Sequence, residues 1–153
     1  RRFMKPKKLK ANIEYTTPHG HVYRTDHKGR IKEVYADDLS LLDGGRNSYA
    51  QRTVGREDRL PDDDGGHLIA RGFGGSKDID NLVPQSKYIN RSFKENGEWY
   101  NMEKDWQKAI KGGGTIKNIK IEVQYESHSQ RPTAFQVKYE MNNKKYERNI
   151  ENI

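Results

Sequence analysis

Two polar side chains of different chemistry, His67 and Asn90, lie close together in the chain and suit hydrolysis at a phosphate. His67 follows two glycines and opens the short apolar run Leu68-Ile69-Ala70. A histidine can act as a general base near neutral pH, because its ordinary pKa is about 6.5. Asn90 offers an amide oxygen, which suits a hard divalent cation such as Mg²⁺. The amide is neutral, so it leaves the cation's charge free to act on a phosphate. Each residue alone has a structural interpretation, as a hydrogen-bonded histidine or a helix cap, so the hypothesis depends on both together.

A carboxylate in the segment from Trp99 to Ile110 adds a third group. Helical spacing places an apolar stripe on one side of this segment, formed by Trp99, Met102, Trp106, Ala109 and Ile110. Glu103 falls inside that stripe, where an unpaired carboxylate costs several kcal/mol, so it needs a partner. An arginine from another element would make Glu103 structural. A water on a metal ion, or a group that positions substrate, would make it functional, and the sequence leaves both open.

The elements predicted around these residues follow the order strand, strand, helix. We expect a short strand over His67 to Ala70, with His67 and Ile69 on one face. Asn81 to Pro84 reads as the second strand of a hairpin that ends at the proline, and Asn90 would then start the helical part. Gly112, Gly113 and Gly114 form a strong stop for the helix that carries Glu103.

The remaining patterns predict strands on both sides of this segment. Ile13, Tyr15 and Thr17 alternate, and runs at 22–25 and 31–35 flank a tight turn that ends at Gly29. A helix capped by Asn47 or Ser48 would run to about Val54. Alternating residues at 119–125 and 135–141 predict a C-terminal β-hairpin, and the polar last dozen residues are expected to fray.

Composition points to one domain and to a polyanionic partner. The chain of 153 residues has a formal net charge of +7 and a sequence pI near 9.5, which favours a polyanion such as nucleic acid. Residues 1–11 are strongly basic and are interpreted as a linker from an upstream domain, with a nucleic-acid arm as the alternative, and residues 12–153 as the single domain. The chain has no cysteine, which excludes thiolate nucleophiles and cysteine zinc sites. We find no apolar run long enough to span a membrane.

Three pieces of sequence in combination resemble the DNA/RNA non-specific endonuclease family of ββα-metal (His-Me finger) nucleases. They are Asp64-Gly65-Gly66-His67, Asn81-Leu82-Val83-Pro84-Gln85 ahead of Asn90, and Trp99-Tyr100-Asn101-Met102-Glu103. The resemblance extends over about Arg46 to Met141. This version of the motif is similar to the C-terminal nuclease domains of bacterial polymorphic toxins, including LXG-type effectors of type VII secretion. It implies an α+β fold: a ββα-metal core with an antiparallel sheet and a C-terminal β-hairpin.

The resemblance also implies roles for individual residues in an endonuclease. His67 would be the general base, Asn90 would hold Mg²⁺ or another divalent cation such as Mn²⁺, and Glu103 would hold one of the waters around that cation. Asp64 would orient the turn or the histidine. Water would be the nucleophile, so DNA and also RNA could be cut without sequence specificity to give 5′-phosphate ends.

One departure from the family concerns arginine. The better-known form of the motif carries a substrate-contacting arginine where this chain has Gly65, so a phosphate-binding arginine must come from elsewhere. In the family an upstream arginine steadies the phosphate, and four candidates precede the motif here: Arg46, Arg52, Arg56 and Arg59. Arg59 is nearest to the motif and is selected on that ground. Arg71, in the glycine-rich loop after His67, is the candidate for substrate contact.

The resemblance further implies a secreted effector that acts in the cytoplasm of a target bacterium and is neutralised by a cognate immunity protein, which would be acidic to match the charge of +7. Two other hypotheses remain. A basic nucleic-acid-binding module without catalysis would bind with a steep salt dependence and no metal requirement. A metal-independent ribonuclease toxin would attack through the 2′-hydroxyl and leave 2′,3′-cyclic ends.

Overall fold

The computed structural model describes residues 8–42, 48–92 and 97–153 as an α+β fold with one large antiparallel sheet. The sheet has six strands in the order β1-β2-β3-β6-β7-β8, and every neighbouring pair is antiparallel. Its strands are β1 (Glu14–Thr16), β2 (Val22–Thr25), β3 (Ile31–Asp38), β6 (Ile116–Tyr125), β7 (Pro132–Met141) and β8 (Lys144–Glu151). Two further strands, β4 (Asp63–His67) and β5 (Leu82–Ser86), form a separate hairpin. This confirms the predicted α+β class with an antiparallel sheet.

Three α-helices accompany the strands in the part of the chain that the structure describes. They are α1 (Ser48–Thr53), α2 (Lys87–Asn90) and α3 (Glu98–Lys111). Ser48 begins α1, close to the predicted start, whereas Asn47 lies outside the described residues. Gly112 caps α3 at its C-terminal end, so the predicted glycine stop is confirmed. No helix of the described residues is long and apolar enough to cross a membrane.

The core lies between α3 and the large sheet. Trp99, Met102 and Trp106 are fully buried, as the apolar stripe predicted. The two tryptophan rings pack edge-on against aromatic side chains of β7, with centroids 5.1 Å apart for Trp99 and Phe135 and 5.2 Å apart for Trp106 and Tyr139. Edge-to-face contacts of this kind favour one orientation of the rings. The packing therefore fixes how α3 sits on the sheet.

The end of the chain is ordered, and the prediction that the last dozen residues fray was wrong. β8 pairs along its length with β7, and the side chain of Asn152 is buried beyond it. The Asn152 Nδ2 donates to the carbonyls of Pro84 and Pro132, and its Oδ1 accepts from the backbone N–H of Ser86. A polar sequence can thus hold a regular strand when one of its amides joins the β4–β5 hairpin to the main sheet.

An ion pair makes a second connection between the hairpin and the sheet. The Arg131 Nε and Nη2 donate to the two carboxylate oxygens of Asp63 at 2.7 and 3.0 Å, and this aspartate is nearly fully buried. Arg131 also donates to the backbone carbonyl of Asn152. A bidentate guanidinium–carboxylate pair fixes both distance and orientation. The hairpin that carries the sequence motif is therefore fixed rigidly to the sheet.

Three predicted boundaries near the motif were wrong. β4 ends at His67 instead of starting there, because the following residues turn away: Ala70 caps a short 3-10 turn over Arg71–Phe73. β5 continues through Pro84 to Ser86, because Pro84 pairs opposite Gly65 and its ring packs against Gly55, where a Cβ would lie 2.0 Å from the Pro84 Cγ. Asn90 ends α2 instead of starting a helix, and the helix of Glu103 begins separately at Glu98.

Candidate active site

A direct network of hydrogen bonds joins two residues of the predicted site. The Asn90 Nδ2 donates to Asp64 Oδ2 at 3.0 Å. Arg91 Nε donates to the same oxygen at 2.9 Å, and Arg91 Nη2 donates to Asp64 Oδ1 at 2.5 Å. A carboxylate only accepts hydrogen bonds, so Asp64 fixes which end of the Asn90 amide faces it. The Asn90 Oδ1 is thereby directed away from Asp64 and is available as a ligand.

The electrostatics of this cluster keep Asp64 ionised. Burial raises the pKa of the Asp64 carboxyl, but the hydrogen bonds from Arg91 and Asn90 and the positive charges of Arg91 and Arg59 outweigh burial. The net result is a pKa below the ordinary value. Asp64 is therefore a fixed negative charge at neutral pH, and it holds Asn90 in one orientation.

The two glycines of the motif are required by close packing. A Cβ at Gly65 would lie 2.2 Å from the carbonyl oxygen of Gln51 on α1, and a Cβ at Gly66 would lie 2.4 Å from the Gln85 Oε1. Neither position can carry a side chain without moving its neighbour. This explains in physical terms why this chain has no arginine at position 65: α1 occupies the space that the side chain would need.

His67 ends β4 opposite Leu82 and is buried. The loop after it is held by Asn81, a fully buried residue whose amide makes four hydrogen bonds. The Asn81 Oδ1 accepts from Tyr23 Oη at 2.8 Å and from the Ile69 N–H at 2.9 Å. Its Nδ2 donates to the carbonyls of Ile69 and Ser76 at 2.7 and 2.8 Å. Asn81 therefore positions the chain immediately after His67, which is a structural role.

Glu103 reaches this part of the molecule through the docking of α3. Gly97, the N-cap of α3, donates its N–H to the carbonyl of Arg91 at 3.1 Å. A Cβ at Gly97 would lie 2.2 Å from the carbonyl oxygen of Ile89, so only glycine allows α3 to begin this close to α2. Glu103 is partly buried within the first two turns of α3. The fold thus brings the helix of Glu103 directly against the residues on either side of Asn90.

A second buried amide, that of Gln85, lies next to Asp64. Gln85 pairs with Asp64 across the hairpin, so both side chains lie on one face of the two strands. Gln85 is completely buried, and neither its Nε2 nor its Oε1 has a hydrogen-bond partner among the described residues. Other described polar atoms lack partners, including the Trp99 and Trp106 indole nitrogens, but in Gln85 both the donor and the acceptor do. Such an amide costs a few kcal/mol unless water or a ligand satisfies it.

The arginines chosen from sequence make other contacts. Arg59 Nη1 and Nη2 donate to the backbone carbonyls of Gln51 and Asp63 at 2.5 and 3.0 Å, so this side chain joins α1 to β4. Its charge still acts on Asp64. Arg71 donates through Nη1 to the carbonyl of Gly75 in the loop after β4. Of the other three upstream arginines, Arg46 lies outside the described residues.

Two residues of the cluster were missed by the sequence reasoning. Arg91, with just over half of its side chain exposed, is the arginine bonded to Asp64. It follows Asn90 directly, whereas the arginines predicted from the sequence lie upstream of the motif or, in the case of Arg71, shortly after it. Gln85 was read only as part of a motif. Its position opposite Asp64 depends on the strand register. The predicted strand ended at Pro84 and therefore did not include Gln85.

The oxygen atoms of this cluster can be judged as possible ligands of a metal ion. No group of three or more His, Cys, Asp or Glu side chains suited to a metal ion occurs in residues 8–42, 48–92 and 97–153. The donors present instead are the Asn90 amide oxygen, directed by Asp64, and the buried Gln85 amide. Neutral oxygens that leave most of the coordination to water fit a hard divalent cation such as Mg²⁺. The residues present therefore fit such a cation.

Comparison with known sequences identifies related proteins. The family described as DNA/RNA non-specific endonuclease matches residues 11–143. The chain is 73% identical over 150 residues to the type VII secretion system protein EssD of Staphylococcus aureus strains USA300 and Newman. That alignment includes 98% of this chain and 24% of the relatives, so the chain spans about a quarter of the length of the curated relatives it matches.

Comparison with solved structures gives nucleases with the same fold. The magnesium-bound NucA of Streptococcus agalactiae superposes with a TM-score of 0.63 at 16% identity, over 97% of this chain and 77% of that one. The zinc-bound Sda1 nuclease superposes with a TM-score of 0.53 at 20% identity, over 60% of this chain and 40% of that one. At such identities the likeness shows the fold. It also confirms that the α+β architecture predicted from the motifs is shared with nucleases.

Proposed function

Because the chain belongs to the DNA/RNA non-specific endonuclease family, we propose that it is a metal-dependent endonuclease that hydrolyses phosphodiester bonds of DNA, and also of RNA, to 5′-phosphate ends. The observation that carries this proposal is the hydrogen bond from the Asn90 amide to Asp64, which lies on the same strand as His67. Because the amide nitrogen faces the carboxylate, the neutral amide oxygen points away from it. Binding alone requires no such orientation.

The residues that would hold the cation are Asn90, directly, and Glu103, through a water. A bound Mg²⁺ or Mn²⁺ would supply positive charge to the phosphate oxygens as negative charge develops on them. Asp64 acts on this site by holding the Asn90 amide, and such supporting contacts commonly change metal affinity by about 10–100-fold. The Gln85 amide, buried beside Asp64, is suited to a hydrogen bond with water in the same place. The NucA structure has magnesium bound and the Sda1 structure has zinc bound, which supports a divalent cation for this chain.

In this proposal His67 accepts the proton of the water that attacks phosphorus. Its place at the end of β4 is fixed on one side by pairing with Leu82 and on the other by the Asn81 amide, which holds Ile69. A base held in this way keeps its orientation while substrate binds. Arg59 would add positive charge from behind the strand, consistent with its effect on Asp64. Arg71, in the loop after His67, would contact the phosphate backbone.

The relatives indicate a biological setting. They are named as type VII secretion system proteins, which supports secretion. We propose that this nuclease domain belongs to a secreted antibacterial effector that acts in the cytoplasm of a target bacterium. The net charge of +7 suits a polyanionic substrate. The same charge suits an acidic immunity protein that protects the producing cell.

Nicking of a supercoiled plasmid tests the proposal. Wild-type protein is incubated with Mg²⁺ or with excess EDTA, beside His67→Ala and the matched control His27→Ala, which removes an exposed histidine of the β2–β3 turn. We expect nicking with Mg²⁺ in the wild type and in His27→Ala, none with EDTA, and a rate at least ~10²-fold lower in His67→Ala.

Other results would replace the proposal with a defined alternative. Cleavage of RNA in EDTA with 2′,3′-cyclic ends would identify a ribonuclease that uses the 2′-hydroxyl. Binding without nicking in any divalent metal would identify a non-catalytic binding module. An intact rate in His67→Ala would contradict the role of the histidine.

A further inference from the structure

The outer side of α3 carries a row of lysines. Lys104, Lys108 and Lys111 are exposed, and at ~3.6 residues per turn they fall within an arc of about 60°. Trp99 and Trp106 lie on the opposite side of the helix, where they are buried against the sheet. The three lysine side chains therefore face solvent on one side of α3. We call Lys104, Lys108 and Lys111 the α3 lysine ridge.

The charges of the ridge are not balanced by neighbouring carboxylates. Asp105, the one acidic residue between Lys104 and Lys111, accepts instead from Arg148 of β8 at 2.7 Å. None of the three lysines forms an ion pair within residues 8–42, 48–92 and 97–153. Lys104 Nζ lies 5.6 Å from the centre of the Tyr100 ring, a contact that leaves its charge in place. Lysines three and four residues apart repel each other, so the ridge concentrates positive charge at a small cost to the helix.

The helix dipole accounts for part of the ridge. Lys108 and Lys111 lie in the last turn of α3, where a positive charge complements the unpaired carbonyls of the helix end. Lys104 lies about two turns before Lys111, beyond the reach of that effect. A helix face that is only solvated typically alternates charges of opposite sign, so that they form ion pairs. Neither effect applies to Lys104, which makes the ridge a candidate for binding an anion.

The ridge lies on the helix that carries Glu103, and it leads away from the end of α3 that packs on α2. At that end the Gly97 N–H donates to the carbonyl of Arg91. Lys104 directly follows Glu103, and Lys111 lies about 10 Å further along the helix at ~1.5 Å per residue. One strand of a duplex carries a phosphate about every 3.4 Å along the axis, so the ridge spans about three phosphates.

We propose that the α3 lysine ridge binds the phosphate backbone of the substrate nucleic acid, beyond the phosphodiester bond that is cleaved. This rests on the proposed nuclease function and adds a binding surface that takes no part in the chemical step. Ammonium groups bind phosphates as point charges and read no sequence. Protein interfaces, by contrast, have an apolar centre and are depleted in lysine. The large apolar side chains that are exposed among the described residues all lie outside α3, so nucleic acid is the partner that the ridge fits.

The salt dependence of binding tests the ridge without cleavage. The affinity of the protein for a fluorescein-labelled 16-base-pair DNA duplex is measured in EDTA by fluorescence anisotropy, from 50 to 200 mM NaCl. Each phosphate contact contributes about 0.9 to the slope of log affinity against log salt concentration. We expect the triple variant Lys104→Gln, Lys108→Gln, Lys111→Gln to reduce this slope by about 2–3 and to bind at least about tenfold more weakly at 50 mM NaCl. Glutamine has nearly the helix propensity of lysine, so the helix is retained.

A control variant removes the same charge from the other face of the large sheet. Lys117, Lys138 and Lys145 are exposed, and they alternate along β6, β7 and β8 with side chains that are buried on the α3 side. We expect their triple replacement by glutamine to leave the slope within about 0.5 of the wild type. A slope that falls by less than about 1 in the ridge variant, or that falls equally in both variants, would overturn the proposal.

A single replacement guards against loss of the fold. Thermal unfolding checks that each variant is folded, because Lys108 and Lys111 also stabilise the end of the helix. Lys104→Gln leaves the last turn intact, and we expect it alone to reduce the slope by about 0.9. An unchanged slope in this folded variant would remove Lys104 from the contact surface and contradict the ridge.

The kinetics of plasmid nicking separate the ridge from the chemistry. Because the ridge contacts phosphates away from the reacting atoms, the triple ridge variant should have a raised KM and a kcat within about twofold of the wild type. A lowered kcat with an unchanged KM would place these lysines in the chemical step and overturn the proposal. Failure of the wild type to nick with any divalent metal would reject the nuclease function itself. The binding slopes in EDTA are measured without cleavage, so the two failures are distinguishable.

Discussion

Two buried amides four residues apart, Asn81 and Gln85, have opposite environments. Asn81 makes hydrogen bonds to Tyr23, Ile69 and Ser76 through both ends of its amide. Gln85 is as completely buried, but neither end of its amide has a partner among the described residues. Burial of a bonded amide stabilises a fold, whereas burial of an unbonded amide costs free energy. The difference indicates that the Asn81 amide stabilises the fold. The Gln85 amide, which lies beside Asp64, lowers the stability of the fold unless water or a ligand bonds to it.

The largest effect is expected when the bonded amide is removed. Asn81→Leu would leave the buried N–H and carbonyl of Ile69 without their side-chain partner, and it would also remove the acceptor of the Tyr23 hydroxyl and the donor to the Ser76 carbonyl, at roughly 1–3 kcal/mol for each group. We expect the free energy of unfolding to fall by at least about 4 kcal/mol, measured by urea denaturation. A loss below about 1 kcal/mol would show that the loop after His67 does not depend on Asn81.

A third amide, Asn152, extends the comparison to the chain end. It bonds the β4–β5 hairpin to β7 through Ser86, Pro84 and Pro132. Asn152→Leu is expected to lower the free energy of unfolding by about 2–3 kcal/mol. This is less than for Asn81, because Asn152 is next to the exposed residue Ile153, where water can replace part of the lost bonding. Hydrogen exchange should show the hairpin opening more readily than β6 and β7. Unchanged exchange in the hairpin would mean that the Arg131–Asp63 pair holds it alone.

These amides also show what the sequence could predict. The apolar stripe of α3 and the alternating strands could be predicted from the sequence, because the spacing of apolar residues indicates which positions are buried. The motif residues were readable as a group, and Asp64 and Asn90 do meet. The boundaries at His67, Pro84 and Asn90 were wrong, because they depend on contacts from elsewhere in the chain: Gly65 opposite Pro84, and Gly97 against Ile89. The role of Asn152 was hidden for the same reason, since its partners are distant in sequence.

Replacement of the unbonded amide of Gln85 is expected to lower activity without lowering stability. Gln85→Met has nearly the same shape without the polar atoms, so the free energy of unfolding should stay within about 1 kcal/mol of the wild type or rise. We expect the rate of plasmid nicking to fall at least tenfold, as for other groups that support a metal site. Urea denaturation and nicking are measured on the same preparation. A variant that is destabilised by several kcal/mol would show that the amide is bonded in solution and is structural.

The effect on stability at Asp64, which serves both the fold and the site, is expected to depend on pH. Its pKa is lowered in the folded protein, so its stabilisation is fully present above about pH 4, the ordinary value, and is lost as the pH falls through the folded pKa. Asp64→Asn should therefore have a flatter dependence of unfolding free energy on pH below about 4. It should also bind Mg²⁺ about tenfold more weakly by calorimetry, because the Asn90 amide loses its fixed acceptor.

Asp26 supplies the matched control for Asp64. It pairs with Arg30 at 2.8 Å in the β2–β3 turn, and its pKa is also lowered, since hydrogen bonds from Arg30 and Lys28 outweigh the opposing effect of burial. Asp26→Asn should flatten the same pH dependence and leave Mg²⁺ affinity unchanged. If both variants lost Mg²⁺ affinity equally, the loss would follow from general destabilisation. The orientation of Asn90 by Asp64 would then have no special part in the site.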